Sequence, residues 1–349
     1  MELTYANARI RGMRSRLLES SRLKELATKL DVDSIIKVLE QTPYRPEVEA
    51  ASVRYSGITC IEEALRRNLA KTLRLLFGIM KSEDAETCIN IFLNKWDVQN
   101  IKTILRGKNV HVTSDEIVES LAPAGALDDA TLIELIKQPD VKAVIDLLAT
   151  WGIDYAKPLT QHFDEYSKSA DLVVLEYALD KFYYKNALNI VKGDSYDEGI
   201  IKGLIKTEID VTNIKSVLRI IRDRTELEDT QYYLIEGGRE LGITKLLALI
   251  KTKRIEGAIR QLAGTSYDFL TKVPDEYVNT EKISAFEKEL DKFLLQKALS
   301  MFSGDPLSIA VVIGYLYAKF NEITNIRIIS RAKTEDVSAE ELMGELVLV

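Results

Sequence analysis

The side chains with the most chemical potential in this chain come in sets. Asp97, Asn100 and Arg106 are matched by Asp210, Asn213 and Arg219, and again by Glu322, Asn325 and Arg331. Positions three apart on a helix share a face, so each set presents a carboxylate beside a carboxamide, with a guanidinium farther along. A ligand site repeated three times is one reading. The other is structural: Asp caps a helix, Asn three residues on answers the cap, and Arg near the C-terminal end offsets the helix dipole. The structural reading needs no ligand and is the better supported.

Other chemistry lacks its usual residues. No G-x-x-x-x-G-K-[ST] phosphate cradle is present, and no G-x-G-x-x-G opens a helix after a strand, so nucleotide binding has no backbone nest to use. His111 and His162 have no second His or Cys at ligand spacing, and the separation of Cys60 from Cys88 fits neither a zinc site nor a redox pair. The cysteines read as reduced helix residues. Asp128-Asp129 resembles the start of an Asp-rich magnesium motif, but no further Asp follows at 130 to 133. Paired acids in a first helical turn are commonly dipole stabilisers. No catalytic residue, metal or cofactor is expected.

Composition narrows the class further. Gly and Pro make up 24 of 349 residues, well below the roughly 12% of ordinary usage, which favours helices. A net charge of −7 argues against a phosphate-backbone binder, since Lys and Arg carry that affinity. The longest nearly apolar run, Leu307 to Ala318, is shorter than the ~20 residues of a membrane span. A cytosolic chain that does not itself span a membrane is expected, with nucleic acid not expected as a partner.

The elements that must position the repeated sets are themselves repeated. The step from Asp97 to Asp210 is one position longer than the step from Asp210 to Glu322, and the other landmarks keep nearly the same spacing. Upstream, Ile61-Glu62 with Leu65 matches Leu175-Glu176 with Leu179 and Phe286-Glu287 with Leu290. Downstream lie three candidate capping boxes, Thr113 with Glu116, Thr225 with Glu228, and Ser338 with Glu341. Ile35 to Tyr44 resembles Ala258 to Tyr267. Four landmarks in one order define a triplicated module, with repeats at 1–115, 116–228 and 229–349, the last including a C-terminal helix. Residues 61–106, 175–219 and 286–331 are expected to superpose. Apolar positions keep the helical period, and Gly78, Gly193 and Gly304 are expected to break each repeat into five or six short helices, with one or two isolated strands at most. The expected class is all-α, with a compact pseudo-threefold arrangement favoured over an open stack.

A basic segment stands out on this acidic chain. Ala6, Ile10, Met13 and Leu17 form an apolar stripe flanked by Arg9 and Arg16 on one side and Arg11 and Arg14 on the other. Solvated flanks of a docking helix would explain them. A contact with acidic partner loops or lipid headgroups is the functional alternative, and makes Arg9, Arg11, Arg14 and Arg16 candidate partner-binding residues.

Tyr5-Ala-Asn-Ala-Arg-Ile-Arg11 with Ser15-Arg-Leu-Leu18, Leu179 to Leu188, and Glu322 to Lys333 together resemble the C subunit of archaeal-type ATP synthases, the counterpart of the d subunit in vacuolar proton ATPases. The likeness runs nearly end to end, although Ser330 stands where the other copies have Leu. It implies a funnel of three similar helical domains, peripheral on the cytoplasmic side of the cell membrane. Its partners would be the membrane rotor ring of proteolipid subunits and the central shaft subunits, joined for ion-driven ATP synthesis or hydrolysis without bond chemistry of its own. A helical repeat scaffold of an unrelated complex is the alternative.

Overall fold

The computed structural model describes residues 3–80, 83–193, 195–225, 230–274, 277, 282–335 and 337–348. Among them every regular element is helical and no strand occurs. The helices are longer than the glycine punctuation implies. Gly57–Ile79, Glu83–Asn109, Tyr196–Asp223 and Ala310–Ala332 run for 23, 27, 28 and 23 residues. Gly78 falls just before its helix ends, and Gly193 and Gly304 lie in breaks, but Gly199 and Gly203 sit inside the longest helix. An interior glycine costs about 1 kcal/mol against alanine, which burial of Ile201, Leu204 and Ile205 in the same turns outweighs.

The chain forms two compact units, residues 1–140 with 295–349, and residues 141–294. In the first, Ala310–Ala332 is apolar around its whole circumference at its start, where Ala310, Val311, Val312 and Ile313 are all buried, as befits a helix covered on every side. It packs against Thr4–Arg14, Ser20–Ala27 and Gly57–Ile79, and Trp96 meets Phe320 with ring centroids 4.4 Å apart. In the second, Ile214, Leu218, Leu246, Ile250, Phe286 and Leu290 form one core.

Caps hold as the sequence implies where they are described. Thr113 and Glu116 form a reciprocal box, and Ser338 Oγ accepts the Glu341 N–H at 3.2 Å. Glu228 of the middle box lies outside the described residues. Asp128 accepts the Thr131 N–H at 2.9 Å as an N-cap. Ser330, the departure in the third copy, is buried with its hydroxyl donating to the Ile326 carbonyl at 2.8 Å, so its polar atom is satisfied within its own helix.

At Gly314 two segments of the first unit approach closely. A Cβ there would lie 2.9 Å from the Ala298 carbonyl oxygen and 3.1 Å from the Phe302 ring. Alanine ordinarily stabilises a helix interior, yet here overpacking should outweigh propensity. Gly314→Ala is expected to destabilise the protein by about 1–3 kcal/mol, measured as a lowered urea midpoint; a raised midpoint would contradict this packing.

Candidate functional site

The repeated carboxylates do not cap helices. Asp97 lies inside Glu83–Asn109 and Asp210 inside Tyr196–Asp223, both fully buried. Each reaches sideways to a loop farther down the chain. Asp97 accepts the N–H groups of Ala126 and Leu127 at 2.9 and 3.0 Å. Asp210 accepts those of Arg239, Glu240 and Leu241 at 3.0, 2.8 and 3.3 Å, together with the Tyr267 hydroxyl at 3.0 Å. The reading as caps fails because a spacing of Asp-x-x-Asn fits a helix start and a helix middle equally well. What decides is that a loop folded against the protein must find acceptors for its inward-facing main-chain donors.

The asparagines do the complementary job. Asn100 donates to the Ala122 carbonyl at 2.8 Å and accepts the Ala122 N–H at 2.9 Å. Asn213 holds Ile235 in the same way at 2.7 and 2.8 Å, and Asn325 holds Val347 at 3.0 and 3.1 Å. In all three the partner is 22 residues downstream. A carboxamide carries a donor and an acceptor side by side, so it can pair with both polar groups of one residue as a strand would. Asp could not.

The arginines also exceed their expected part. Arg106 and Arg331 stand in last helical turns, but Arg331 Nη2 lies 3.1 Å from Glu62 Oε1, joined on the other oxygen by Arg327 Nε at 2.7 Å. Arg219 Nη2 lies 2.6 Å from Glu287. Glu62 and Glu287 belong to the matched upstream blocks, so in both cases the basic end of one copy grips the acidic start of another.

The glycines Gly125 and Gly238 are the residues that sequence reasoning missed. A Cβ would fall 2.0 Å from Asp97 Oδ1 at the first and 2.1 Å from Asp210 Oδ1 at the second, so only glycine lets the loop reach the carboxylate. They stand as far apart in the chain as the two aspartates they face, and that shared spacing is the signal that would have found them.

Burial without a cation pushes Asp97 up to about 6, against the opposing pull of its two main-chain donors. Asp210 is raised for the same reason. At the third copy Glu322 accepts the Leu18 N–H and, at 2.5 Å, the Tyr44 hydroxyl. There a buried cation is present as well, with Lys319 Nζ 2.7 Å from Glu322 Oε1. These acids are committed to holding main chain and neighbouring side chains.

The candidate partner-binding arginines are all exposed. The helix bearing them ends at Arg14, so Arg16 follows it rather than lying on its flank; the chain turns there and delivers Leu18 to Glu322. Ala6 and Ile10 are buried as the stripe requires, while Met13 and Leu17 are half-buried. Arg14 stacks over the Phe302 ring at 4.0 Å and Arg11 approaches the Phe302 carbonyl at 3.5 Å. Arg9 reaches Tyr5 of its own helix, 3.2 Å from the hydroxyl. Arg11 and Arg14 also border a cavity of about 430 Å³ whose wall includes Leu17, Leu23, Leu299 and Val347.

Cys60 and Cys88 are buried, His162 faces Glu165 at 3.4 Å, and no described helix is long and apolar enough to cross a membrane.

The repeated polar residues of this all-helical chain thus tie loops and distant segments to its long helices. Residues 6–345 match the ATP synthase (C/AC39) subunit family, and the chain belongs to that family; it is one of the subunits of a rotary ATP synthase. It is 31% identical over 344 residues to the C subunit of the A-type ATP synthase of Methanocaldococcus jannaschii, covering 98% of this chain and 86% of that one. It is 32% identical over 348 residues to that of Methanosarcina acetivorans, covering 99% and 92%, and 29% identical over 349 residues to that of Haloferax volcanii, covering 99% and 97%.

The Asp97 node carries a pH signature. A carboxyl raised from 3.8 to about 6 on folding adds stability that is fully present below pH 3.8 and lost as pH rises through 6. The stability of the wild type relative to Asp97→Asn is therefore expected to improve by about 2–3 kcal/mol between pH 7 and pH 4, read from urea midpoints. Comparing the two proteins cancels the carboxylates whose values are lowered on folding, such as Asp31 and Glu63. A difference independent of pH would show that Asp97 is ionised in the fold throughout.

Proposed function

We propose that this chain is a non-catalytic central-stalk subunit of an archaeal-type rotary ATP synthase. In this reading it sits peripherally on the cytoplasmic face of the membrane rotor ring and couples the ring to the central shaft. The observation that carries the reading, beyond family membership, is the use made of the repeated acids. Asp97, Asp210 and Glu322 are buried and engaged by main-chain N–H groups, which stiffens the body and leaves them unsuited to proton transfer with a substrate. A part that transmits torque needs loops that do not yield, and each copy of the motif fixes one.

The exposed arginines of the first helix and the turn after it supply the best charged surface for engaging acidic loops of the ring. Arg11 and Arg14 brace Phe302, so replacing them would disturb packing along with charge. Arg9 and Arg16 are the cleaner pair. Association of the full chain with a detergent-solubilised rotor ring is expected to weaken as salt rises, because exposed charges are screened beyond about 8 Å at physiological ionic strength. Arg9→Gln with Arg16→Gln is expected to weaken binding several-fold and flatten the salt slope. No association with the ring at low salt would overturn the coupling role; unchanged affinity and slope in the double variant would overturn the assignment of the arginines.

A further inference from the structure

The hydrogen bonds of the third copy are made with the opposite end of the chain, in the same register as the second. Asp210 accepts the Leu241 N–H 31 residues on and the Tyr267 hydroxyl 57 residues on. Glu322 accepts the Leu18 N–H and the Tyr44 hydroxyl. Tyr44 follows Leu18 at the same interval as Tyr267 follows Leu241. The elements after each leucine agree: Ile243–Lys251 and Ile255–Arg260 follow Leu241, while Ser20–Ala27 and Val32–Leu39 follow Leu18. Thr42 and Thr265 even make the same turn, each hydroxyl accepting the N–H two residues on, at 3.2 and 3.1 Å. By its bonding, then, the segment Leu18–Tyr44 is the second half of the third repeat, although it lies in the first by sequence.

The two copies differ in how the chain holds their halves together. Between Asp210 and Leu241 a short run of backbone keeps donor and acceptor close at all times; Leu18 and Glu322 stand 304 residues apart. Loop closure over a longer span is entropically less favourable, and a contact once broken is remade from a lower effective concentration. This copy alone carries Lys319, where the second has Thr207. Its Nζ is buried 2.7 Å from Glu322 Oε1, 2.8 Å from the Tyr44 hydroxyl oxygen and 4.3 Å from the centre of the Tyr44 ring. One cation thus binds both members of the contact that the backbone does not secure.

We infer that Leu18–Tyr44 is a strap, clasped to the Glu322 helix by Lys319, Glu322 and Tyr44, which opens as a unit before the rest of the molecule. Opening would detach Ser20–Ala27 from the helices Ala310–Ala332 and Ala339–Glu345, against which it packs, and bare the clasp. Hydrogen exchange on the full chain tests it through matched variants. Tyr44→Phe is expected to speed amide exchange in residues 20–39 by roughly 10- to 100-fold, as loss of a buried hydrogen bond to a charged acceptor implies, while residues 57–79 and 310–332 keep their rates. Tyr267→Phe removes the equivalent bond from the continuous copy and is expected to change residues 243–260 by less than about threefold. Lys319→Met should reproduce the Tyr44→Phe pattern. Equal acceleration in the two tyrosine variants, acceleration spread over the whole chain, or none in residues 20–39 would each overturn the strap.

Discussion

The loops after the long helices turn several main-chain N–H groups inward, and satisfying them is the constraint on which the rest of the structure depends. An unpaired buried donor costs about 1–3 kcal/mol. A side chain planted in the middle of a long helix meets the demand in every copy, the preceding helix in the first two and one at the far end of the chain in the third. Asp97 answers Ala126 and Leu127, Asp210 answers Arg239 to Leu241, and Glu322 answers Leu18. Helix propensity disfavours Asp and Asn in a helix interior because they compete for nearby backbone. Here the competition is redirected to backbone elsewhere in the chain, and the long helix acts as the rail on which another segment is hung.

The electrostatic side of this arrangement differs among copies. In the first two, a carboxylate is buried among dipoles alone, so desolvation raises Asp97 and Asp210. In the third, Lys319 balances the charge; burial lowers the lysine while Glu322 beside it pulls the other way. Burial and the adjoining carboxylate together push the Tyr44 hydroxyl well above its usual range, which keeps it a donor to Glu322. Removing one member of a buried pair is far more damaging than the pair is stabilising, so the clasp specifies where the N-terminal segment docks more than it adds to overall stability.

Much of this was legible in the sequence, and the failures have physical causes. The helical class followed from the helical period of positions such as Ile101, Ile104 and Leu105, which the structure buries completely. The repeat was visible because buried positions constrain residue type. The role of Asp97 and Asp210 was not, since a carboxylate that reaches a loop far along the chain leaves no local pattern distinct from a cap. Helix length is not legible from glycine punctuation, because glycine signals a permitted break, while tertiary burial decides whether one occurs. Gly125 and Gly238 escaped notice because a close approach between segments is a property of the pair, and no single position displays it. The correspondence of Tyr44 with Tyr267 is legible, but their shared dependence on an acid from another part of the chain is a property of the fold.

Ion pairs between copies complete the logic. Arg219 with Glu287 and Arg331 with Glu62 join matched positions of different copies, and the second of these runs from one end of the sequence to the other. Glu62 is nearly enclosed and takes two arginines, so it is screened far less by salt than an exposed pair would be. Geometry of that kind, two guanidinium groups on one carboxylate, resists sliding in a way that apolar packing, which is non-directional, does not. Segments held by packing alone could shear along their boundaries. Directional ties placed at equivalent positions pass a load from one segment to the next with little internal motion, which is the mechanical property that the proposed coupling of ring to shaft requires.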